Sequence, residues 1–430
     1  MITLDEARRY VLSGCPPLAA RPLGLAEAVG CVLAEEVVAT EPVPPFDNSA
    51  VDGFAFLASA VDGYPARLVV AEVVMAGSST DRRVEPGQAA RVMTGAPVPD
   101  GTDTVCMLEH ARSDPGGAAV VIESPLPPGA NVRRAGDDIS PGDLVLSIGS
   151  VVGPAEVGVL ASLGFERVRA HPRPRVGVLS TGDELHPGAG PLGSGRIRDS
   201  NRHILLAQVA LAGCRPVDLG IVGDDAGAIT TALSEGAQDC DALVVSGGVS
   251  VGDRDLVKVV LSELAGGEMR SMQVAIKPAK PLAFGVLAER RVPVFGLPGN
   301  PVSALVSFEL FARPGLRRLA GDRRINRPVV AGRAEHHFLR RSDGKLHFRQ
   351  VAARRDAQGV VWAASVEGTH SHRLSAMTNA NALAILRDGD GVREGEPVDL
   401  LLLDPAGVAG YLDAAWALGW DASHQSTPVR

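Results

Sequence analysis

The sequence predicts a multi-domain α/β plus β protein. A doubly wound parallel-sheet domain forms its middle, with a β-rich N-terminal arm before it and a C-terminal β-barrel after it. Three observations carry that prediction. Strand-length apolar runs alternate with helix-length amphipathic runs between residues 176 and 312, the pattern of a parallel sheet wrapped by helices. Short apolar strands punctuated by Pro-Gly turns fill both flanks. At 430 residues the chain is long enough for about three domains. Hydrophobic residues make up 45% and charged residues 21%, a globular composition that excludes disorder over most of the chain.

Taken in order, residues MITLDEARRYVLSG read as an amphipathic helix. Thr3 and Glu6 have capping-box spacing, Leu4, Ala7 and Val11 share a face, and Pro16-Pro17 stops the helix. With no long apolar run, this stretch is not expected to be a secretory signal. Strands follow at 66–77, 89–95, 103–108 and 118–124, and a helix at 152–165 closes on Gly164. The segment RVRAHPRPR (167–175) has a linker's composition. Beyond it, strands at 176–182, 216–222, 241–248 and 292–299 alternate with helices at 201–213, 225–236, 253–265 and 301–312. From about residue 325 short strands return, and the last residues, DASHQSTPVR, read as a frayed tail. The expected domains are 1–45 with 140–170 as a framing unit, 46–139 as an inserted β-rich arm, 171–322, 325–405 and a tail at 406–430.

Net charge is −8, so a basic surface for non-specific nucleic-acid binding is excluded and small-molecule partners are expected. Five cysteines lie far apart without a C-x-x-C pair, which suits neither a zinc site nor a disulfide framework and points to a reducing, cytoplasmic setting. No stretch reaches the roughly 18 uninterrupted apolar residues of a membrane span. His336-His337 and His370/His372 lack the helical spacing of a zinc site. A G-x-S-x-G elbow, a Walker A loop and a G-x-G-x-x-G loop are all missing.

In a doubly wound domain, ligands bind beyond the carboxyl ends of the strands. Three such ends carry unusual residues. STGDEL supplies Ser180, Thr181, Gly182, Asp183 and Glu184. SGGVSVGDRD supplies Ser246, Gly247, Gly248 and Ser250, then Asp253 and Asp255. GLPGNPVSA supplies Pro298, Asn300, Pro301 and Ser303. Glycines admit a ligand to the backbone, hydroxyls and helix-opening amides bind phosphate oxygens, and converging helix N-termini favour an oxyanion. Singly, each string is equally well a tight turn or an ordinary helix start, with Asn300 as N-cap and Pro301 at the first position. Lys277 and Lys280 of KPAKPLAFG stand near the same end and suit an anion. Asp224 and Asp225 follow another strand; Asp225 reads equally as a helix cap or a ligand. Carboxylates beside phosphate-type loops point to Mg²⁺ bridging, since bare carboxylates repel phosphate. In the arm, PPFDNSAVDGFA, RVMTGAPVP and NVRRAGDDI concentrate polar groups, yet each alone reads as a turn.

Together, PPFDNSAVDGFA, RVMTGAPVP, NVRRAGDDI, VLSTGDEL, SGGVSVGDRDLVK, KPAKP and GLPGNPVSA occur in the order seen in molybdopterin molybdenumtransferases. The chain resembles that family, which includes the E domain of gephyrin, from residue 1 to about 405. The resemblance implies a molybdopterin adenylyltransferase-like central fold and a homodimer with an active site shared between subunits. It also implies insertion of molybdate into adenylyl-molybdopterin with release of AMP, assisted by Mg²⁺. Carried over on matching motifs, Asp52, Thr94, Asp138, Glu184, Asp224 and Asp255 are catalytic candidates, and Glu184, Asp224 and Asp255 are also the metal ligands. Ser180, Thr181, Gly182, Ser246, Gly247, Gly248, Ser250, Lys277, Lys280, Pro298, Asn300, Pro301 and Ser303 are the substrate-binding set. Arg340 and Ser371 are candidates for a second anion contact. Molybdopterin adenylyltransferase and apo-molybdoenzymes are the implied protein partners. Departures are few: Val51 and Phe54 stand where the family often has Met and Tyr, and Ala279 where it often has Gly. The adenylyltransferase step and a non-catalytic cofactor carrier or scaffold are the alternative readings.

Overall fold

The structure is a computed structural model that describes residues 1–78, 82–248, 256–266, 269–366, 374–405 and 407–408. The chain forms two compact units: Met1–Arg21, Gly30–Val32 and His171–Arg430 make one, and Pro22–Val29 and Leu33–Ala170 the other. No helix among the described residues is long and apolar enough to cross a membrane.

The larger unit is organised on a six-stranded sheet. Its order is Arg215–Val222, Arg175–Thr181, Ala242–Ser246, Pro293–Leu297, Pro281–Val286 and Arg270–Gln273. The first four strands, those expected from the alternation, are parallel. Val176, Val178 and Val244 point into one core, shared with Leu205 and Val209 of helix Asn201–Leu211. Leu179, Leu243 and Val245 point into the other, shared with Ile229 and Leu233 of Ala226–Asp239 and with Val257, Val260 and Leu261 of Leu256–Leu264. Both faces are therefore buried, which is why these strands read as unbroken apolar runs.

The expected parallel sheet is extended at one edge by two antiparallel strands. Pro281–Val286 and Arg270–Gln273 are antiparallel to their neighbours. Only residues 287–292 join Pro281–Val286 to Pro293–Leu297, and Leu287 N–H bonds to the Val292 carbonyl at 2.9 Å. A link that short closes a hairpin, whereas a parallel crossover needs a dozen residues or more.

The N-terminal helix, Leu4–Ser13, has the expected capping box. Instead of framing the arm, it buries Ala7 and Val11 in the same core as Phe284 and Phe311. The helix expected at 301–312 also differs, running as α-helix Pro301–Ser307, a π-turn Phe308–Ala312 and α-helix Arg313–Leu319. Pro314 is the cause. It has no N–H and its ring would collide with the carbonyl four residues back. That carbonyl, on Leu310, accepts instead from Arg8 Nε at 3.1 Å.

The C-terminal part of this unit is a closed barrel. Its strands pair in the cycle Leu346–Arg355, Val361–Ser365, Val329–Ala334, Pro397–Leu402 and Ala382–Leu386, which returns to the first. Phe338, Val351, Ala363, Ala384 and Leu400 fill it. Closure leaves no free edge among these five strands.

The smaller unit carries a second six-stranded sheet, ordered Thr104–Met107, Gly53–Phe56, Gln88–Val92, Ala66–Val74, Ala119–Ile122 and Ala111–Ser113. Strand alternation sorts its side chains. Phe54 and Phe56 enter one cluster with Leu68 and Ile122, and Ala55 enters the other with Val92 and Val105. Helix Pro154–Ser162 starts on a proline, with Glu156 accepting from Gly153 N–H at 2.9 Å, and Gly164 beyond it takes φ +76°.

Candidate functional site

Parallel register places Ser180 opposite Ser246, and Ser246 opposite Leu297. Three of the strand ends singled out in the sequence are therefore neighbours. Main-chain bonds add to this: Gly247 N–H donates to the Leu297 carbonyl at 3.2 Å, and Gly182 N–H donates to the carbonyl of Val222, at the end of the fourth parallel strand, at 3.1 Å. Thr181 Oγ1 donates to the Ser246 carbonyl at 3.4 Å. Gly247, at φ +97°, is required by space as well as by conformation, because a Cβ there would lie 2.6 Å from the Thr181 carbonyl oxygen. Gly248 also takes a positive φ, +63°.

Ser180, Thr181, Ser246 and Ser303 are buried. Pro298 is buried too, while Gly299 and Asn300 are exposed and Pro301 opens the helix. Asn300 occupies the N-cap position without a side-chain cap bond. Ser250, Asp253 and Asp255 lie outside the described residues, as does Ser371.

Beside this cluster, Asp183, Glu184 and Asp224 are exposed beyond two adjacent strands. Asp183 Oδ1 accepts from the Asp224 amide at 3.1 Å, which ties the two loops. Asp225 accepts from Ala228 N–H at 2.7 Å and caps the helix Ala226–Asp239. The cap reading of Asp225 holds, and Asp224 is the exposed carboxylate of the pair not committed to that cap. Among the described residues no three His, Cys, Asp or Glu side chains gather closely enough to hold a metal ion by themselves. Hard carboxylate oxygens at Glu184 and Asp224 nevertheless suit Mg²⁺, which binds through one or two carboxylates plus water and substrate phosphate.

Lys277 lies on the short strand Ile276–Lys277, which pairs with Leu346 and His347 of the barrel. Lys277 and Lys280 are exposed, and Ala279 between them is buried in the left-handed region at φ +71°. Arg340 requires correction as an anion contact. Its side chain is only 1% exposed. Its guanidinium donates to the carbonyls of Lys345, Leu386 and Arg387 and to the carboxylates of Asp343 and Asp388. It therefore clamps barrel loops together and has little capacity left for a ligand.

Within the smaller unit, the three arm motifs that singly read as turns come together. Gly95 N–H donates to the Ser49 carbonyl at 2.8 Å, Ser49 N–H to Ala96 at 2.9 Å, and Ala50 N–H to Asn131 at 2.9 Å. Asp52 Oδ1 accepts from the Thr94 amide at 2.7 Å and its hydroxyl at 2.8 Å, and these bonds hold the Asp52 carboxyl below its ordinary range. Asp138 is exposed, with its amide on the Val43 carbonyl at 3.0 Å. Asp47 links two of the motifs, accepting from Ala135 N–H at 2.9 Å and from Arg134 Nη1 at 2.6 Å.

Sequence reasoning missed the polar floor beneath the strand ends. Asp199 accepts from Ser180 Oγ at 3.1 Å, from Arg202 N–H at 3.1 Å and from Arg202 Nε at 3.0 Å. Arg202 also pairs with Asp218. Asn201 Nδ2 donates to Ser246 Oγ and to the Gly299 carbonyl, both at 2.7 Å. The available signal was the polar triplet Asp199-Ser200-Asn201 before an apolar helix, which locally reads as a cap. Ser200 holds the N-cap position without a side-chain bond, and its two neighbours are buried.

Family models match the chain in order: MoeA N-terminal region (domain I and II) at residues 2–164, "Probable molybdopterin binding domain" at 177–318, and MoeA C-terminal region (domain IV) at 336–403. The molybdopterin molybdenumtransferase of Haemophilus influenzae is 37% identical over 402 residues, covering 93% of this chain and 98% of that protein. Molybdopterin molybdenumtransferase 1 of Mycobacterium tuberculosis is 36% identical over 411 residues, covering 90% and 96%. A solved molybdopterin biosynthesis MoeA protein from Pyrococcus horikoshii aligns with a TM-score of 0.76 at 28% identity, over 94% of this chain and 99% of that one. On this full-length agreement, the chain belongs to the molybdopterin molybdenumtransferase family.

Proposed function

We propose that this chain is a transferase that inserts molybdate into adenylylated molybdopterin, releasing AMP and forming molybdenum cofactor. Molybdenum insertion into molybdopterin is the family's reaction; the adenylylated substrate and Mg²⁺ are our finer reading. One observation carries it. Three loops suited to phosphate, at Ser180–Gly182, Ser246–Gly248 and Pro298–Ser303, lie at neighbouring strand ends, with Glu184 and Asp224 close by.

On this reading, the amides and hydroxyls of the three loops take the phosphate oxygens of the pterin nucleotide. The helix starting at Asn201 adds a positive dipole end. Glu184 and Asp224, with Asp255, would hold Mg²⁺, which offsets phosphate charge and polarises the phosphoanhydride. Lys277 and Lys280 draw the molybdate dianion toward the same end of the sheet. Water adds across the phosphoanhydride and AMP leaves; the two dithiolene thiols bind molybdenum, and their protons carry one molybdate oxygen away as water. We infer a cytoplasmic homodimer in which Asp52, Thr94 and Asp138 act on substrate held by a second copy. Molybdopterin adenylyltransferase and apo-molybdoenzymes would then stand on either side of the reaction.

The test incubates the purified chain with adenylyl-molybdopterin, Mg²⁺ and molybdate. AMP release that needs molybdate, and activation of an apo-molybdoenzyme, are the expected results. Both should fall at least about tenfold in Glu184→Gln and Asp224→Asn, the scale of a lost charge-assisted contact. Tight binding without AMP release would refute catalysis and leave a carrier.

A further inference from the structure

Asn201 opens the helix Asn201–Leu211 and is 8% exposed. Its amide nitrogen donates to Ser246 Oγ and to the Gly299 carbonyl, each at 2.7 Å. Both amide hydrogens are thereby used. Gly299 offers only an acceptor, so the nitrogen must face it; the flipped amide would set oxygen against oxygen. Ser246 Oγ, receiving a hydrogen from Asn201, has its own proton left to donate elsewhere. Among the described residues the buried Oδ1 of Asn201 has no hydrogen-bond partner. A buried acceptor left unpaired is destabilising, so stability alone does not account for an asparagine here. What this side chain provides is a fixed span between two loops and a defined direction for one hydroxyl.

We propose that Asn201 is a positioning residue for the transferase reaction: it holds the Ser246 loop and the Gly299 loop at a set separation and turns the Ser246 hydroxyl into a donor for a substrate phosphate oxygen. This deepens the functional reading above and rests on it.

The experiment uses the full chain as Asn201→Ala, Asn201→Asp, Ser246→Ala and the Asn201→Ala/Ser246→Ala double variant. Metal-free molybdopterin is the binding probe, and AMP release from adenylyl-molybdopterin gives KM and kcat separately. Asn201→Ala and Ser246→Ala should each weaken binding and raise KM about tenfold with little change in kcat, as the loss of one hydrogen bond to a charged group predicts. The double variant should be no worse than the poorer single, because both act through one hydroxyl. Thermal midpoints show whether each variant is folded. If Asn201→Ala fails to fold, Asn201→Asp keeps the volume, removes the two donors and must show the same rise in KM. Wild-type KM in either folded Asn201 variant, or losses that simply multiply in the double variant, would overturn the proposal. A wild-type chain that binds no molybdopterin would instead overturn the functional reading beneath it, and the clamp with it.

Discussion

Removing the Asp199 carboxylate should destabilise the α/β domain far more than removing that of Asp218, although both pair with Arg202. The Asp199 side chain is 1% exposed and that of Arg202 is 9%, whereas Asp218 is 46% exposed. Asp199→Ala deletes the acceptor of Ser180 Oγ, Arg202 N–H and Arg202 Nε at one stroke. Breaking a buried ion pair from one side costs about 3–5 kcal/mol, since the other charge stays buried. Asp218 still faces Arg202, so the lower end, about 3 kcal/mol, is expected. For a domain of this size that lowers the midpoint by roughly 6–12 °C. Asp218→Ala, at a half-exposed site, should cost about 1 kcal/mol or less. Calorimetry of the full chain is the assay, because separate domains can melt in separate transitions and only the one containing this sheet should move. A midpoint drop below roughly 3 °C in Asp199→Ala would show that Asp218 and water compensate Arg202 unaided. Equal effects from the two substitutions would refute the burial argument altogether.

Further outcomes follow from single sites. Gly247→Ala places a methyl against the Thr181 carbonyl at a positive φ, so it should cost at least about 2 kcal/mol and weaken molybdopterin binding; a fully stable variant with unchanged binding would contradict the close approach. Burial would raise the Asp343 carboxyl, but hydrogen bonds from Lys345 and His347 hold it at about 2. Because its folded value lies below the unfolded value near 4, its stabilisation is present above about pH 4 and is lost as pH falls toward 2. Urea midpoints across that range should slope less in Asp343→Asn, and an unchanged slope would exclude this group. All five cysteines are buried and outside any disulfide, with Cys15 and Cys214 pushed up to about 12 by burial. A thiol reagent should therefore modify none of them until the chain unfolds, and rapid labelling of the native protein would argue against that packing.

Sequence alone determined what is local or periodic. The capping box of Thr3 and Glu6 needs residues three apart, and the helix stop at Gly164 needs one left-handed residue. The four parallel strands show themselves as apolar runs because each is buried on both faces. Their unusual ends, STGDEL, SGG and GLPGNP, could be singled out for the same reason, since glycines, prolines and hydroxyls interrupt an otherwise apolar pattern. Tertiary structure decided what depends on distant partners. Asn201 reaches Gly299 across 98 residues of chain, and Arg340 reaches Asp388 across 48. Neither is distinguishable by residue type from an ordinary cap or a surface arginine. The antiparallel edge strands and the π-turn at Phe308–Ala312 likewise depend on how the chain packs. A buried polar group must find a partner, and packing selects it from elements far apart in sequence. For that reason the strand ends could be read from the sequence, while the polar floor that holds them together became visible only in the fold.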